Sequence, residues 1–230
     1  MNSLLREPDI DVVIAEDAVP QLTAYAVARG WPKALLVMDP NTELAVGRRV
    51  ALELRQAGIL VEELLFGRRL EATEAAVSLV RRHLRARVHP VVVGSGVITD
   101  IVRYAAHLED RDFVSVPTAA SMDGYASGVA VLKVDGVKVT YPARPPEAIF
   151  ADPRVSAAAP PELARSGIGD LLAKATARID WLAAHLLYGE PFSEEVAARV
   201  LRPLSYAAER AAAVISGETD TIRGLLSGLI

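Results

Sequence analysis

The sequence predicts an α/β fold, a parallel sheet with helices on both faces followed by a short all-helical part, on three observations. Apolar runs such as Ala34-Leu35-Leu36-Val37-Met38 and Val91-Val92-Val93 are continuous rather than alternating, the mark of strands covered on both faces. Amphipathic stretches separate these runs, as in a chain of βαβ units. After Pro160-Pro161 the composition turns to Ala, Leu and Arg at helical spacing, with no convincing strand.

In chain order, Val12-Val13-Ile14 reads as a short strand, and Gln21 to Arg29 as a helix with Gly30 at its C-cap. Ala34 to Met38 is a buried strand ended by Asp39-Pro40-Asn41-Thr42. Glu43 to Ala57 is a helix stopped by Gly58. A strand over Ile59 to Leu65 and a helix over Glu71 to Leu84 follow. Pro90 opens the strand Val91 to Val93, Ile101 to Leu108 is helical, and Phe113 to Val116 is the next strand. Lys133-Val134-Asp135-Gly136-Val137-Lys138, an Asp-Gly pair between β-branched flanks, signals a hairpin within Val129 to Tyr141. Ala148 to Ala151 is the last strand. The boundary is placed near Ser156, giving an α/β domain over residues 1–155 and a helical domain over 156–230.

Composition narrows the function classes. With 51% hydrophobic and 23% charged residues the chain builds a sizeable core. Its net charge of −4 argues against a nucleic-acid partner. The basic cluster Arg81, Arg82, Arg85 and Arg87 reads as a solvated helix surface. The absence of cysteine excludes disulfides and thiolate metal sites and suits a reducing cytoplasm. The opening MNSLLREPDIDVVIAEDA lacks a cationic start followed by an apolar stretch, so no signal peptide is expected. No run reaches the roughly 18 apolar residues of a membrane span. A cytoplasmic protein is the expectation.

Three segments carry chemistry. Val91-Val92-Val93-Gly94-Ser95-Gly96-Val97-Ile98-Thr99-Asp100 runs from a strand through a glycine turn into a helix. Glycines there let backbone amides approach a pyrophosphate, and the helix N-terminus favours its charge. An ordinary tight turn fits equally, because Thr99 stands where the GxGxxG fingerprint needs glycine. Val116 to Ser127, VPTAASMDGYAS, places small hydroxyl residues and one carboxylate after a buried strand, where open α/β sheets bind ligands. Asp123 suits substrate hydroxyls, or an N-cap. In Gly167-Ile168-Gly169-Asp170-Leu171-Leu172-Ala173-Lys174, Asp170 reads as an N-cap opening an apolar helix or as a hard oxygen ligand for a divalent metal, and Lys174, one turn later, as its ion-pair partner.

Together these segments resemble the sn-glycerol-1-phosphate dehydrogenase family, in the superfamily of iron-type alcohol dehydrogenases, glycerol dehydrogenases and dehydroquinate synthases. The stretches GSGVITDIVRYAA, FVSVPTAASMDGYAS, KVTYPARPPEAIFAD and GIGDLLAK carry the resemblance, with PTAASMDGYAS and PPEAIFAD its specific part. Over residues 1–89 only the strand-helix order and Asp39 match.

The resemblance implies a Rossmann-like nucleotide-binding domain and NAD as cofactor, NADP being possible. Gly94, Ser95 and Gly96 with Val97, Ile98, Thr99 and Asp100 would bind it, residues Gly96 to Asp100 at the pyrophosphate. Thr118, Ala119, Ala120, Ser121 and Ser127 would lie on the nicotinamide side. Asp39 would hold the adenosine ribose and disfavour a 2′-phosphate. Asp123 would bind substrate, and Asp170 would ligate the metal, Zn or Ni, and face the substrate. The reaction implied is reduction of dihydroxyacetone phosphate to glycerol 1-phosphate, with the metal polarising the carbonyl. A homo-oligomer without nucleic acid is expected.

The family continues into a helical domain whose two histidines complete the metal site, so the chain reads as truncated there. None of His83, His89, His107 and His185 shows the family's histidine context. Two other readings are an NAD-binding module without catalysis and a dehydroquinate-synthase-like cyclase, the latter disfavoured by the SMDG loop. The truncated tail is expected to expose Leu225, Leu226, Leu229 and Ile230.

Overall fold

A computed structural model describes residues 10–199 and 201–230. The N-terminal stretch in which no signal peptide is expected lies, through residue 9, outside them. The α/β part contains β1 (Asp11–Ile14), α1 (Ala18–Ala28), β2 (Lys33–Met38), a single helical turn α2 (Pro40–Thr42), a π-helical turn (Glu43–Gly47) and α3 (Arg48–Gln56). It continues through β3 (Leu60–Leu65), α4 (Glu74–His83), β4 (Val88–Gly94), α5 (Gly96–Leu108), β5 (Val114–Pro117), β6 (Val129–Val134), β7 (Val137–Pro142) and β8 (Ala148–Ala151). From Pro153 onward the described chain is helical: α6 (Pro153–Ala157), α7 (Pro161–Tyr188), α8 (Glu194–Arg199), α9 (Leu201–Glu209), α10 (Ala211–Ile215) and α11 (Thr219–Leu229).

Six strands form one parallel sheet in the order β1-β8-β5-β4-β2-β3, as the continuous apolar runs predict. One face packs Leu22, Leu36, Val50, Val91 and Phe150 under α1 and α3. The other packs Leu35, Val77, Val92, Ile101 and Phe113 under α4 and α5. The chain leaves β2 for β3 on one side and reaches β4 on the other, so connections diverge between β2 and β4. In open α/β sheets that divergence opens a crevice beyond the strands' carboxyl ends, and ligands bind there.

Turn chemistry sets the boundaries. Gly30 and Gly58 take positive φ and close Schellman caps, Trp31 N donating to Ala26 O and Ile59 N to Leu54 O. Asp135 and Gly136 both have positive φ, the two-residue turn expected between β6 and β7. Helix starts depart most from expectation. The first helix begins at Ala18 rather than Gln21, and the fourth at Glu74, where Thr73 Oγ1 accepts from Ala76 N at 3.3 Å. Helix α5 begins at Gly96, five residues before Ile101, because apolar periodicity is silent across a glycine turn. Helix α4 ends at His83, leaving Arg85 and Arg87 in the loop beyond it.

The helical part closes over the carboxyl edge of the sheet. Ala164, Ile168 and Leu171 of α7 and Ile222, Leu225, Leu226 and Leu229 of α11 form one apolar cluster with Ala120 and Ala151. This corrects the expectation that the last helix exposes its apolar residues. Leu225 and Leu226 have no exposure and Leu229 has 2%. A run of uncovered apolar side chains lies instead along α7, where Ile179 is 65% and Leu186 73% exposed, with Leu172, Leu182, Leu187 and Tyr188 exposed as well.

Candidate functional site

Beyond β2, Asp39 caps the next turn. Its Oδ1 accepts from Asn41 N at 2.7 Å and Thr42 N at 3.0 Å, and its own N–H donates to Thr42 Oγ1 at 3.0 Å. That reciprocal box starts the helix, which runs as a π turn before settling at Arg48. The tight approach needs Gly47, since a Cβ there would meet Met38 Sδ at 2.5 Å. Asp39 shares a cavity of about 520 Å³ with Asn41, Thr42, Ser95, Thr118 and Pro160.

Beyond β4, Gly94, Ser95 and Gly96 turn directly into α5. Ser95 caps with its carbonyl alone, accepting from Thr99 N at 3.0 Å, while its side chain makes no capping bond. The amides of Gly96, Val97 and Ile98 belong to the first helical turn, where no i−4 carbonyl is available within the helix. Gly94 lies under Ile98, and a Cβ on Gly96 would touch Met122 Sδ at 3.1 Å. The side chains of Ile98 and Thr99 are buried in the core, whereas Val97 and Asp100 line a cavity.

Asp100 faces a second cavity, of about 730 Å³, shared with Gly96, Val97, Met122, Asp123, Gly124, Ser127, Lys138 and Asp170. Burial pushes its carboxyl up to about 6, against the pull of Arg103, whose Nη1 lies 3.0 Å from Asp100 Oδ1. Burial in turn lowers the Arg103 guanidinium below its usual value, opposed by Asp100.

The segment after β5 is folded by its own polar groups. Thr118 N donates to Gly94 O at 3.3 Å, joining it to the glycine turn. Tyr125 is fully buried, its phenol raised by burial and its Oη donating to Ala119 O at 2.6 Å. Arg103 donates to the carbonyls of Gly124, Tyr125 and Val129. Ser127 Oγ accepts from Val129 N at 3.1 Å. Ala119 and Ala120 are buried, Thr118 nearly so, and Ser121 and Ser127 are half-buried. Asp123 starts no helix, so its N-cap reading is excluded.

Asp170 also caps nothing. It lies in the interior of the 28-residue α7, which starts at Pro161. The helix comes close because Gly167 carries no side chain: a Cβ there would meet Ala120 O at 2.1 Å. Asp170 Oδ2 accepts from Asp123 N at 3.2 Å. Lys174 ion-pairs with Asp123, not with Asp170 as its spacing suggested.

Two carboxylates and an ammonium therefore meet, without a histidine. His185 is exposed, stacked on Phe192 with Nδ1 2.6 Å from Glu190 O, and His83 pairs with Glu62. Among the described residues no group of three or more His, Asp or Glu side chains stands ready for a metal ion. Zinc and nickel sites want imidazole nitrogen beside carboxylate oxygen. The described residues do not make one by themselves.

Sequence reasoning missed Arg103. An arginine at a helix position ordinarily reads as solvent-facing, and the one signal against that was its place on the apolar side of GVITDIVRYAAHL.

A glycine turn at the divergence point of a parallel sheet, with a cavity on either side, stands where open α/β proteins bind their ligands. Comparison with known proteins makes the class specific. Residues 13–160 match the model of the iron-containing alcohol dehydrogenase family, and the chain belongs to that family. Curated relatives include glycerol-1-phosphate dehydrogenase (NAD(P)+) of Bacillus velezensis, 35% identical over 96% of this chain and 57% of its own length. The enzyme of the same name from Staphylothermus marinus is 36% identical over 93% of this chain and 60% of its length. The chain thus spans somewhat over half the length of the relatives it matches. Among solved structures, glycerol dehydrogenase from Schizosaccharomyces pombe superimposes with a TM-score of 0.82 at 22% identity, covering 96% of this chain and 60% of that one. An iron-containing alcohol dehydrogenase from Thermococcus thioreducens gives 0.79 at 16% identity, with 96% and 64% covered. These structures establish the fold. Among the described residues no helix is long and apolar enough to cross a membrane.

Proposed function

We propose that the chain carries the nucleotide-binding part, residues 1–155, and the first helices, 156–230, of an NAD(P)-dependent glycerol-1-phosphate dehydrogenase. The observation that carries this reading is the two-sided crevice at the glycine turn. Asp39 lines one cavity, Asp123 and Asp170 line the other, and Ser95 and Gly96 stand between them. That spacing suits an extended ligand with ribose hydroxyls at one end and a reacting centre at the other. The relatives named for this activity, 29 to 36% identical over nearly the whole chain, support it.

In this reading the amides of Gly96, Val97 and Ile98 hold the pyrophosphate, aided by the positive end of α5. Asp39 accepts from ribose hydroxyls, which favours NAD over NADP. Thr118, Ala119, Ala120, Ser121 and Ser127 form the nicotinamide side. Reduced nicotinamide, when bound, would supply the hydride to the carbonyl carbon of dihydroxyacetone phosphate, and the oxygen would take its proton from solvent, giving glycerol 1-phosphate. Asp123 accepts from a substrate hydroxyl, Asp170 faces the substrate beside it, and Lys174 holds Asp123 in place. The described donors do not fit a metal ion, and no step runs through one. The same reading includes self-association, supported by the uncovered face of α7.

A second reading, NAD binding without catalysis, is favoured by one specific observation: among the described residues Asp170 belongs to no group of three or more His, Asp or Glu side chains that could hold a metal ion. Titration with NADH and an assay of its oxidation by dihydroxyacetone phosphate separate the two. NADH binding with turnover supports the dehydrogenase, binding without turnover supports the module, and failure to bind NADH defeats both.

A further inference from the structure

We infer that Arg103 is a positioning residue that fixes the distance between the pyrophosphate turn and the nicotinamide side of the crevice, an inference that rests on the proposed cofactor site. Arg103 lies on α5, the helix whose first residue is Gly96, and its side chain is 1% exposed. Seven residues of helix, about 10 Å, separate it from the turn. From there Nη1 donates to Asp100 Oδ1 at 3.0 Å and to Val129 O at 3.0 Å. Nη2 donates to Tyr125 O at 3.0 Å and to Gly124 O. Its Nε is buried without an acceptor.

Packing alone does not explain an arginine here. Burying a guanidinium costs several kcal/mol of hydration even when it is paired, and an apolar side chain of similar volume would fill the space under α5 as well. What an apolar side chain cannot do is satisfy the carbonyls of Gly124 and Tyr125, which lie in a segment that forms no strand or helix, together with that of Val129 where β6 begins. Residues 124–128 form neither, yet this segment carries Ser127 and follows Asp123. The rigid, planar fork joins that segment to the same helix that would present amides to the pyrophosphate. Asp100 neutralises the buried cation and is itself anchored one turn earlier on α5. The two halves of the crevice are thereby held in one frame, as a ligand with two fixed ends requires.

The test compares NADH with ADP-ribose, which keeps the pyrophosphate and lacks nicotinamide, by fluorescence and calorimetric titration of the full chain. Arg103→Met should weaken NADH by at least about tenfold and ADP-ribose by less than about twofold, and Arg103→Lys should recover NADH to within about threefold of wild type. Amide exchange over residues 123–129, measured without ligand, should quicken in Arg103→Met. Equal loss of both ligands, unchanged NADH affinity, or unchanged exchange would each overturn the inference. If Arg103→Met does not fold, Arg103→Lys decides: wild-type NADH affinity together with wild-type exchange overturns it, and an intermediate loss confined to NADH supports it. Should the wild-type chain bind neither ligand, the cofactor reading fails, and amide exchange alone decides whether Arg103 holds the segment.

Discussion

The ammonium of Lys174 sits on the carboxylate of Asp123, although Asp170 lies one helical turn from Lys174 on the same helix. Asp170 is instead the acceptor for Asp123 N–H at 3.2 Å. Helix α7 thus grips the SMDG segment at both its backbone and its side chain. The two grips differ in strength. The ion pair is about one-third exposed on each side, so Lys174→Gln should change unfolding free energy by less than about 1 kcal/mol. Asp170→Ala strands the Asp123 amide and should cost about 1–2 kcal/mol, while Asp170→Asn keeps an acceptor and should cost less. Urea denaturation of the three variants checks the order, and equal costs for Ala and Asn would show that the amide finds another partner.

Gly96→Val should weaken NADH binding by at least about tenfold, roughly 1.4 kcal/mol, because a branched side chain occupies the approach to the first-turn amides. The added Cβ meets only the flexible end of Met122, so the variant is expected to fold. A folded variant with wild-type affinity by fluorescence titration would remove the turn from the site.

Asp39 carries both a cap and a charge, and the two are separable. Asp39→Asn retains the side-chain oxygen that accepts from Asn41 and Thr42, so stability should hold while the preference for NADH over NADPH narrows. Asp39→Ala should narrow the preference equally and lose about 1 kcal/mol besides. Competition titrations with the two cofactors measure the preference. A wild-type chain that already favours NADPH would place the ribose elsewhere.

The raised carboxyl of Asp100 predicts a pH dependence with a definite sign. A buried acid whose folded value lies near 6, above its usual 3.8, binds its proton more tightly in the native state. Its contribution to stability is complete below about pH 4, fades as pH rises toward 6, and is absent above that. The difference spans about two pH units, on the order of 2–3 kcal/mol as an upper bound. Unfolding free energies of wild type and Asp100→Asn, compared from pH 4 to 7, should therefore converge or cross as the wild type loses this contribution. A constant difference across the range would mean that Asp100 titrates normally.

The uncovered face of α7 predicts self-association. Leu172, Ile179 and Leu186 recur every seven residues, with Leu182 between the last two, so the exposed apolar side chains form a stripe rather than scattered points. The chain should elute larger than a monomer on sizing, and Ile179→Glu with Leu186→Glu should shift it to the monomer without lowering its melting temperature. An unchanged elution position in the double variant would move the interface elsewhere.

The parallel sheet was legible in the sequence because burial on both faces leaves runs such as Ala34 to Met38 continuously apolar, a local property that neighbours only confirm. The same holds for the Asp135-Gly136 turn and the C-caps at Gly30 and Gly58, where positive φ restricts the residue type by itself. The place of the GSG turn and the SMDG segment beyond the strands' carboxyl ends was legible for a related reason: each comes soon after a buried strand. What Asp170, Lys174 and Arg103 do was not legible. Spacing along a helix sets which residues share a face. It does not set what that face meets, and Gly167 brings α7 onto a segment nearly fifty residues earlier in the chain. Nor does composition reveal that the apolar end of the chain is covered while the middle of α7 is bare. Those outcomes depend on how the helices cross, which is settled when the whole core packs at once and not residue by residue.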